Sequence, residues 1–187
     1  YLPFVPTQKE AELFISSLPD LKPKAMVSLM YSSGLRVGEV CSLRYCDIQR
    51  KNMRIHVTHS KNRSDRYAIL SQKALDILTE YWFAYNRPTG WLFPKQTDPS
   101  RPIDTFYIMR HMRAHEDSLG WEHRITCHSF RHAFGTHLYE NGADLLTIKT
   151  LMGHKSLNST LLYIHLASYQ ARNVMSPFDR IGGGSLE

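Results

Sequence analysis

Between Met53 and Thr58 the apolar residues fall at every second position, with Met53, Ile55 and Val57 set against Arg54, His56 and Thr58. A period of two is the mark of a half-buried strand. The segments on either side carry helical spacing, so this alternation sets a small sheet inside a chain that is otherwise helical. Tyr67 to Leu70 is expected as the return strand, after a polar turn containing Asn62 to Arg66. Lys61 then sits at or near the tip of the hairpin. The fold class is mainly α with a small antiparallel β-sheet (α+β).

The helices can be placed from their start and stop signals. Thr7-x-x-Glu10 is a capping box, and it opens a helix whose Leu13, Phe14 and Leu18 are expected on one buried face. Pro23 suits the first turn of a second helix, with Ala25, Leu29 and Met30 inside and Gly34 as its stop. That leaves Arg36 just past a helix end, where its side chain can reach into a cleft. Leu75, Leu78 and Trp82 continue helically from Ser71 to about Tyr85, and Asn86 to Gly90 ends the run. A polar loop from about Lys95 to Pro102 leads to a helix over Asp104 to Leu119. Four further helical pieces are expected: Ser129 to Glu140, Asp144 to Met152 closed by Gly153, a short one through Tyr163, and a tail helix near Ser168 to Val174.

A chain of 187 residues, 42% hydrophobic, can bury one ordinary core. Its formal charge of +6 and pI near 9.3 favour a polyanionic partner such as nucleic acid over an acidic small molecule. Cys41, Cys46 and Cys127 form neither a CxxC pair nor a disulfide framework, and are expected as reduced, mostly buried thiols of a cytoplasmic protein. No apolar stretch approaches the ~18 residues that a membrane span requires, and no secretory leader pattern is visible. The start at Tyr1 and the end in Gly182-Gly183-Gly184-Ser185-Leu186-Glu187 suggest a fragment with a flexible, partly cloning-derived tail over 181–187.

The chemistry concentrates in one run: His128-Ser129-Phe130-Arg131, then Gly153-His154, then Ser159-Thr160-Leu161-Leu162-Tyr163-Ile164-His165. A basic His/Arg cluster is followed by a helix-placed tyrosine. Arg36 and Arg131 offer planar forks suited to phosphate oxygens and stay charged at any working pH. Taken alone, Arg36 reads as a surface arginine paired with Glu39, and Arg131 as a solvated helix residue. With Gly34-Leu35-Arg36-Val37-Gly38-Glu39 and the Lys61 segment, the run presents Arg, Lys, His-x-x-Arg, His, Tyr in order. That order resembles the catalytic domain of the tyrosine recombinases, the phage integrase family, over roughly residues 5 to 170.

The resemblance implies the tyrosine recombinase catalytic-domain fold over residues 1–180, with the family's usual N-terminal helical DNA-binding domain absent. It implies Tyr163 as nucleophile, Arg36 and Arg131 as phosphate ligands, His128 as acid/base partner and His154 as a hydrogen-bond donor to the scissile phosphate. Lys61 resembles the hairpin lysine that protonates the departing 5′ oxygen, although Ser60 stands where many relatives have glycine. Glu39 matches an acidic position that orients the arginines. The implied partner is double-stranded DNA, with a tetramer on DNA and a monomer or weak oligomer off it. No cofactor and no metal are implied, and the residues following Tyr163, Tyr169 to Phe178, are expected on a neighbouring subunit.

Two related readings stay open, a non-catalytic DNA-binding protein of this fold and a type IB topoisomerase that relaxes DNA without exchanging partners. A zinc site on His128 and His132 is disfavoured, because the hydrolases of that spacing use His-Glu-x-x-His with a third ligand, and Arg131 between the histidines would repel the ion.

Overall fold

The structure is a computed structural model that describes residues 3–58 and 65–167. Lys61, the expected tail helix, Tyr169, Phe178 and the 181–187 tail lie outside the described residues.

The organising element is α2 (Leu21–Ser33), opened by the Asp20 side chain, which accepts from the Lys22 amide, and closed by Gly34. Ala25, Met26, Val27, Leu29 and Met30 are all fully buried, so this helix is apolar nearly all round. A helix of that kind has no solvent face to offer and must be covered by others. Helices α1 (Gln8–Ser17), α4 (Gln72–Ala84), α5 (Thr105–Leu119) and α6 (Cys127–Glu140) provide the cover.

The Thr7–Glu10 capping box forms in full: the Thr7 amide donates to the Glu10 carboxylate at 2.7 Å and the Glu10 amide donates to Thr7 Oγ1 at 3.2 Å. The buried face of α1 is Ala11, Phe14 and Ile15, continued by Leu18; Leu13 is 49% exposed. The i, i+3, i+4, i+7 stripe through Ala11 excludes position 13, which the expected face had included. On α4, Tyr81 takes the innermost place, while the half-buried Trp82 stacks on Tyr45 at 5.6 Å.

The sheet has three antiparallel strands in the order β1 (Ile48–Gln49), β2 (Arg54–Val57), β3 (Arg66–Ile69). Ile55 faces Ala68 and Val57 faces Arg66 across the β2–β3 ladder. The return strand therefore begins one residue earlier than the expected Tyr67. With a period of two, Arg66, Ala68 and Leu70 share the inward face. The polar loop expected over Lys95 to Pro102 is instead a hairpin of β4 (Pro94–Lys95) and β5 (Asp98–Pro102). Strands this short, with a proline in each, carry no legible alternation.

After α6 come α7 (Leu145–Met152), capped by Asp144 and closed by Gly153, and α8 (Asn158–Leu166). They form a second cluster of Phe134, Tyr139, Ile148, Met152 and Tyr163 against the back of α6. Cys41 and Cys127 are buried free thiols, and Cys46 is an exposed one. Among the described residues no helix is long and apolar enough to cross a membrane.

Candidate active site

The site begins at the end of α2. Gly34 takes a left-handed φ of 63°, and a Cβ there would overlap the Phe134 ring, so both backbone and space require glycine. The reversal sends Leu35 into the core and leaves Arg36 as the cap of α3 (Val37–Cys41). The Arg36 amide donates to Glu39 Oε2 at 2.8 Å, and its Nη1 donates to Glu39 Oε1 at 2.8 Å.

Glu39 also receives a second guanidinium. Arg66 Nη1 donates to Oε1 at 3.0 Å and Arg66 Nη2 donates to Oε2 at 2.9 Å, a fork-on-fork pair between side chains only 7% and 8% exposed. Burial alone would raise the Glu39 carboxyl; the hydrogen bonds and charge of Arg66, then the amide and charge of Arg36, overcome it and hold it at about 2. Arg66 Nε donates to the Leu151 carbonyl at 3.0 Å.

Arg131 lies on α6, 5% exposed, and is not the solvated residue its helix position alone would suggest. Its Nη1 donates to the Gly34 carbonyl and its Nη2 to the Met152 carbonyl, the latter at 2.6 Å. Both acceptors sit at helix C-termini, where carbonyls lack intrahelical partners and carry partial negative charge. Burial, then the nearby Arg36, lowers Arg131 to about 10, which leaves it a cation at neutral pH.

Gly153 ends α7 with φ 62° and delivers His154 beside α8. His154 Nδ1 lies 2.9 Å from Thr160 Oγ1, and its ring stacks on Tyr163 with centroids 6.0 Å apart and planes 16° from parallel. Burial first, then Arg131, Arg36 and Arg66, push His154 down to about 4, so the imidazole is neutral at physiological pH. Tyr163 is 1% exposed, and its ring lies flat on Gly135 of α6, where a Cβ would approach Tyr163 Cζ to 2.5 Å. Burial raises the phenol to about 12 although Arg131 and Arg36 pull the other way. His132 stands 6.2 Å from the same ring, with a buried Nδ1 that has no hydrogen-bond partner.

The Phage integrase family profile matches residues 6–170. The chain belongs to the phage integrase family. It is 36% identical over 178 residues to the Sinorhizobium fredii protein y4eF, whose name places it among integrases and recombinases, covering 95% of this chain and 70% of that one. It is 33% identical over 156 residues to the tyrosine recombinase XerD of Lacticaseibacillus casei, covering 79% of this chain and 52% of that protein. The crystal structure of XerA recombinase superposes with a TM-score of 0.82 at 28% identity, covering 91% of this chain and 63% of that one. This phage integrase domain thus spans from about half to 70% of the length of such relatives.

Five of the residues singled out from the sequence, Arg36, Glu39, Arg131, His154 and Tyr163, converge on one place in this phage integrase domain. His128 lies in the first turn of α6, exposed, at the rim of a groove shared with Val37 and Arg124, one turn before His132. Lys61 belongs to the stretch between β2 and β3, outside the described residues. Arg66 is the residue that sequence reasoning missed, having been counted with the polar turn. The signal was present in the strand's own parity: with Ala68 and Leu70 inward, residue 66 must also face inward. Among the described residues no three His, Cys, Asp or Glu side chains gather as a metal would need.

Proposed function

We propose that this domain cleaves and rejoins DNA strands through a covalent 3′-phosphotyrosyl link on Tyr163, as the catalytic part of a site-specific recombinase or integrase. The observation that carries the reading is the convergence of the Tyr163 phenol with the Arg36 and Arg131 guanidiniums, whose charges both reach it. Cleaving a phosphodiester builds negative charge on the non-bridging oxygens and on the leaving oxygen, and fixed cations stabilise that charge. Arg36 and Arg131 serve the non-bridging oxygens.

Tyr163 attacks phosphorus, the bond to the 5′ oxygen breaks, and Lys61 protonates that oxygen as it leaves. A phenol held at about 12 by burial must lose its proton during attack, and His128 serves as the acid/base partner. When the Thr160 hydroxyl donates to His154 Nδ1, the neutral imidazole carries its proton on Nε2, free to donate to the phosphate. The 5′ hydroxyl of a partner strand then loses its proton and attacks the phosphotyrosine, the bond from phosphorus to the Tyr163 oxygen breaks, and the phenol regains its proton as a phosphodiester is restored. Bond energy is conserved in the protein link, so neither ATP nor metal is needed. Exchange between two duplexes uses more than one nucleophile, which calls for a tetramer on double-stranded DNA. Three free thiols suit work in the reducing cytoplasm.

The test is metal-free. The protein at its full natural length and its Tyr163→Phe variant are incubated with supercoiled plasmid and EDTA and stopped with SDS. The expected result is a protein–DNA adduct that Tyr163→Phe abolishes. An adduct that persists in Tyr163→Phe would remove Tyr163 from its role, and salt-sensitive binding with no adduct on any DNA would favour the non-catalytic reading.

A further inference from the structure

Arg66 has no part in the chemistry proposed above, yet it contacts Glu39, which holds Arg36, and Leu151 and Gly153, which precede His154. Its side chain is 7% exposed, its Nε donates to the Leu151 carbonyl and both Nη atoms donate to Glu39. Through Glu39 it meets the group that also holds Arg36. Through Leu151 it fixes the last turn of α7, and its Cδ packs so closely on Gly153 that a Cβ there would come within 2.8 Å. Gly153 is the residue that sets where His154 begins.

We propose that Arg66 is a positioning residue that keeps Arg36 available to the scissile phosphate and fixes the approach of His154, a role that rests on the strand-transfer reading. Glu39 carries one negative charge, shared between two guanidiniums. Without Arg66 that charge would fall more heavily on Arg36 and offset one of the two cations that face the phosphate. With Arg66 in place, Arg36, Arg66 and Glu39 together leave one net positive charge. A lysine at 66 could not replace it, because one ammonium cannot make the two-pronged contact with Glu39 and also present a side-on N–H to Leu151. The field of Arg66 also reaches Arg131 and His154.

The test compares Arg66→Met and Arg66→Lys, and Arg66→Met combined with Glu39→Gln, in the protein at its full natural length. Three quantities are read: duplex affinity by fluorescence anisotropy, single-turnover adduct formation corrected for folded fraction, and the His154 imidazole titration by NMR. Arg66→Met is expected to slow adduct formation about 100-fold, the scale of losing one charge-stabilising group at a reacting centre. Affinity should stay within about threefold, since Arg66 touches no DNA in this proposal; these bounds follow from a loss confined to the transition state. Adding Glu39→Gln should restore at least about tenfold, because it removes the charge that had captured Arg36. Arg66→Lys should fall between.

A merely structural role would lower the melting temperature and leave the rate per folded molecule unchanged, with no rescue, and that result overturns the proposal. The His154 titration judges Arg66 without any reaction. It should move upward in Arg66→Met, since a nearby positive charge is lost, and an unmoved titration overturns the proposal even if the unaltered protein forms no adduct. Absence of adduct from the unaltered protein counts against the strand-transfer reading instead.

Discussion

Replacing Glu39 with glutamine removes one negative charge from among three arginines, and the structure sets the size of the effect. The carboxyl is held at about 2 against an ordinary value of 4.5. At 1.36 kcal/mol for each tenfold change in proton affinity, that difference corresponds to about 3 kcal/mol of preference for the charged form in the folded state. The folded value lies below the unfolded one. The stabilisation is therefore complete above the unfolded value and is lost as pH falls from about 5 to about 2. Glu39→Gln should cost about 3 kcal/mol at pH 7, in line with the loss of one partner from a buried pair, or roughly 10 °C in melting temperature for a domain of this size.

Urea unfolding followed by circular dichroism, with both proteins at pH 7, 5 and 3, reads this directly. The gap between them should stay near 3 kcal/mol at pH 7 and 5 and shrink to about half at pH 3, because a protonated glutamic acid resembles glutamine. A gap below about 1 kcal/mol at pH 7, or one that does not change with pH, would refute the reasoning that Arg66 and Arg36 hold this carboxylate.

Three glycines give further checks. In Gly135→Ala the new Cβ would stand 2.5 Å from Tyr163 Cζ. An ordinary carbon–carbon contact needs about 3.5 Å, so the ring must move by about 1 Å. Such a displacement at a reacting group costs about 100-fold in rate, while the ~1 kcal/mol that alanine gains within a helix partly offsets the crowding. Adduct formation should fall at nearly unchanged melting temperature, and activity within threefold of the parent would show that Tyr163 works from another position. Gly34→Ala combines a left-handed backbone with overlap on Phe134 and should cost about 3 kcal/mol by thermal melting. Gly142→Ala, also left-handed at φ 90° but with nothing within 4 Å, should cost only about 1 kcal/mol, and equal losses at the two positions would deny any role to the Phe134 contact.

Much of this architecture was legible because its signals are local. A capping box at Thr7 and Glu10, Pro23 at the start of α2, Gly34, Gly120 and Gly153 at helix ends, and the alternation through Ile55 and Val57 each act on a few neighbouring residues. Chain order alone also assembled the site's family pattern, since Arg36, His128, Arg131, His154 and Tyr163 lie in short recognisable words. What failed had weak or misleading local signal. Leu13 is as apolar as Phe14 but lies on the wrong side of the helix. The β4–β5 hairpin is too short to show a period. Arg66 sits at the border of a polar run, and its polarity disguised an inward-facing strand position.

The helical framework, the place of the sheet and the identity of the family can be read along the chain, because caps, periods and motif words are written in adjacent residues. The electrostatic state of the site arises from packing. Glu39 and Arg66 are far apart in the chain, as are Arg131 and the Gly34 and Met152 carbonyls, and their pairing follows from how α2, β3, α6 and α7 pack. Once packed, burial depresses His154 and raises Tyr163, while at Glu39 the hydrogen bonds and charges of Arg66 and Arg36 overcome it. Desolvation and long-range charge depend on neighbours in space, and for these residues the neighbours in the chain do not supply them.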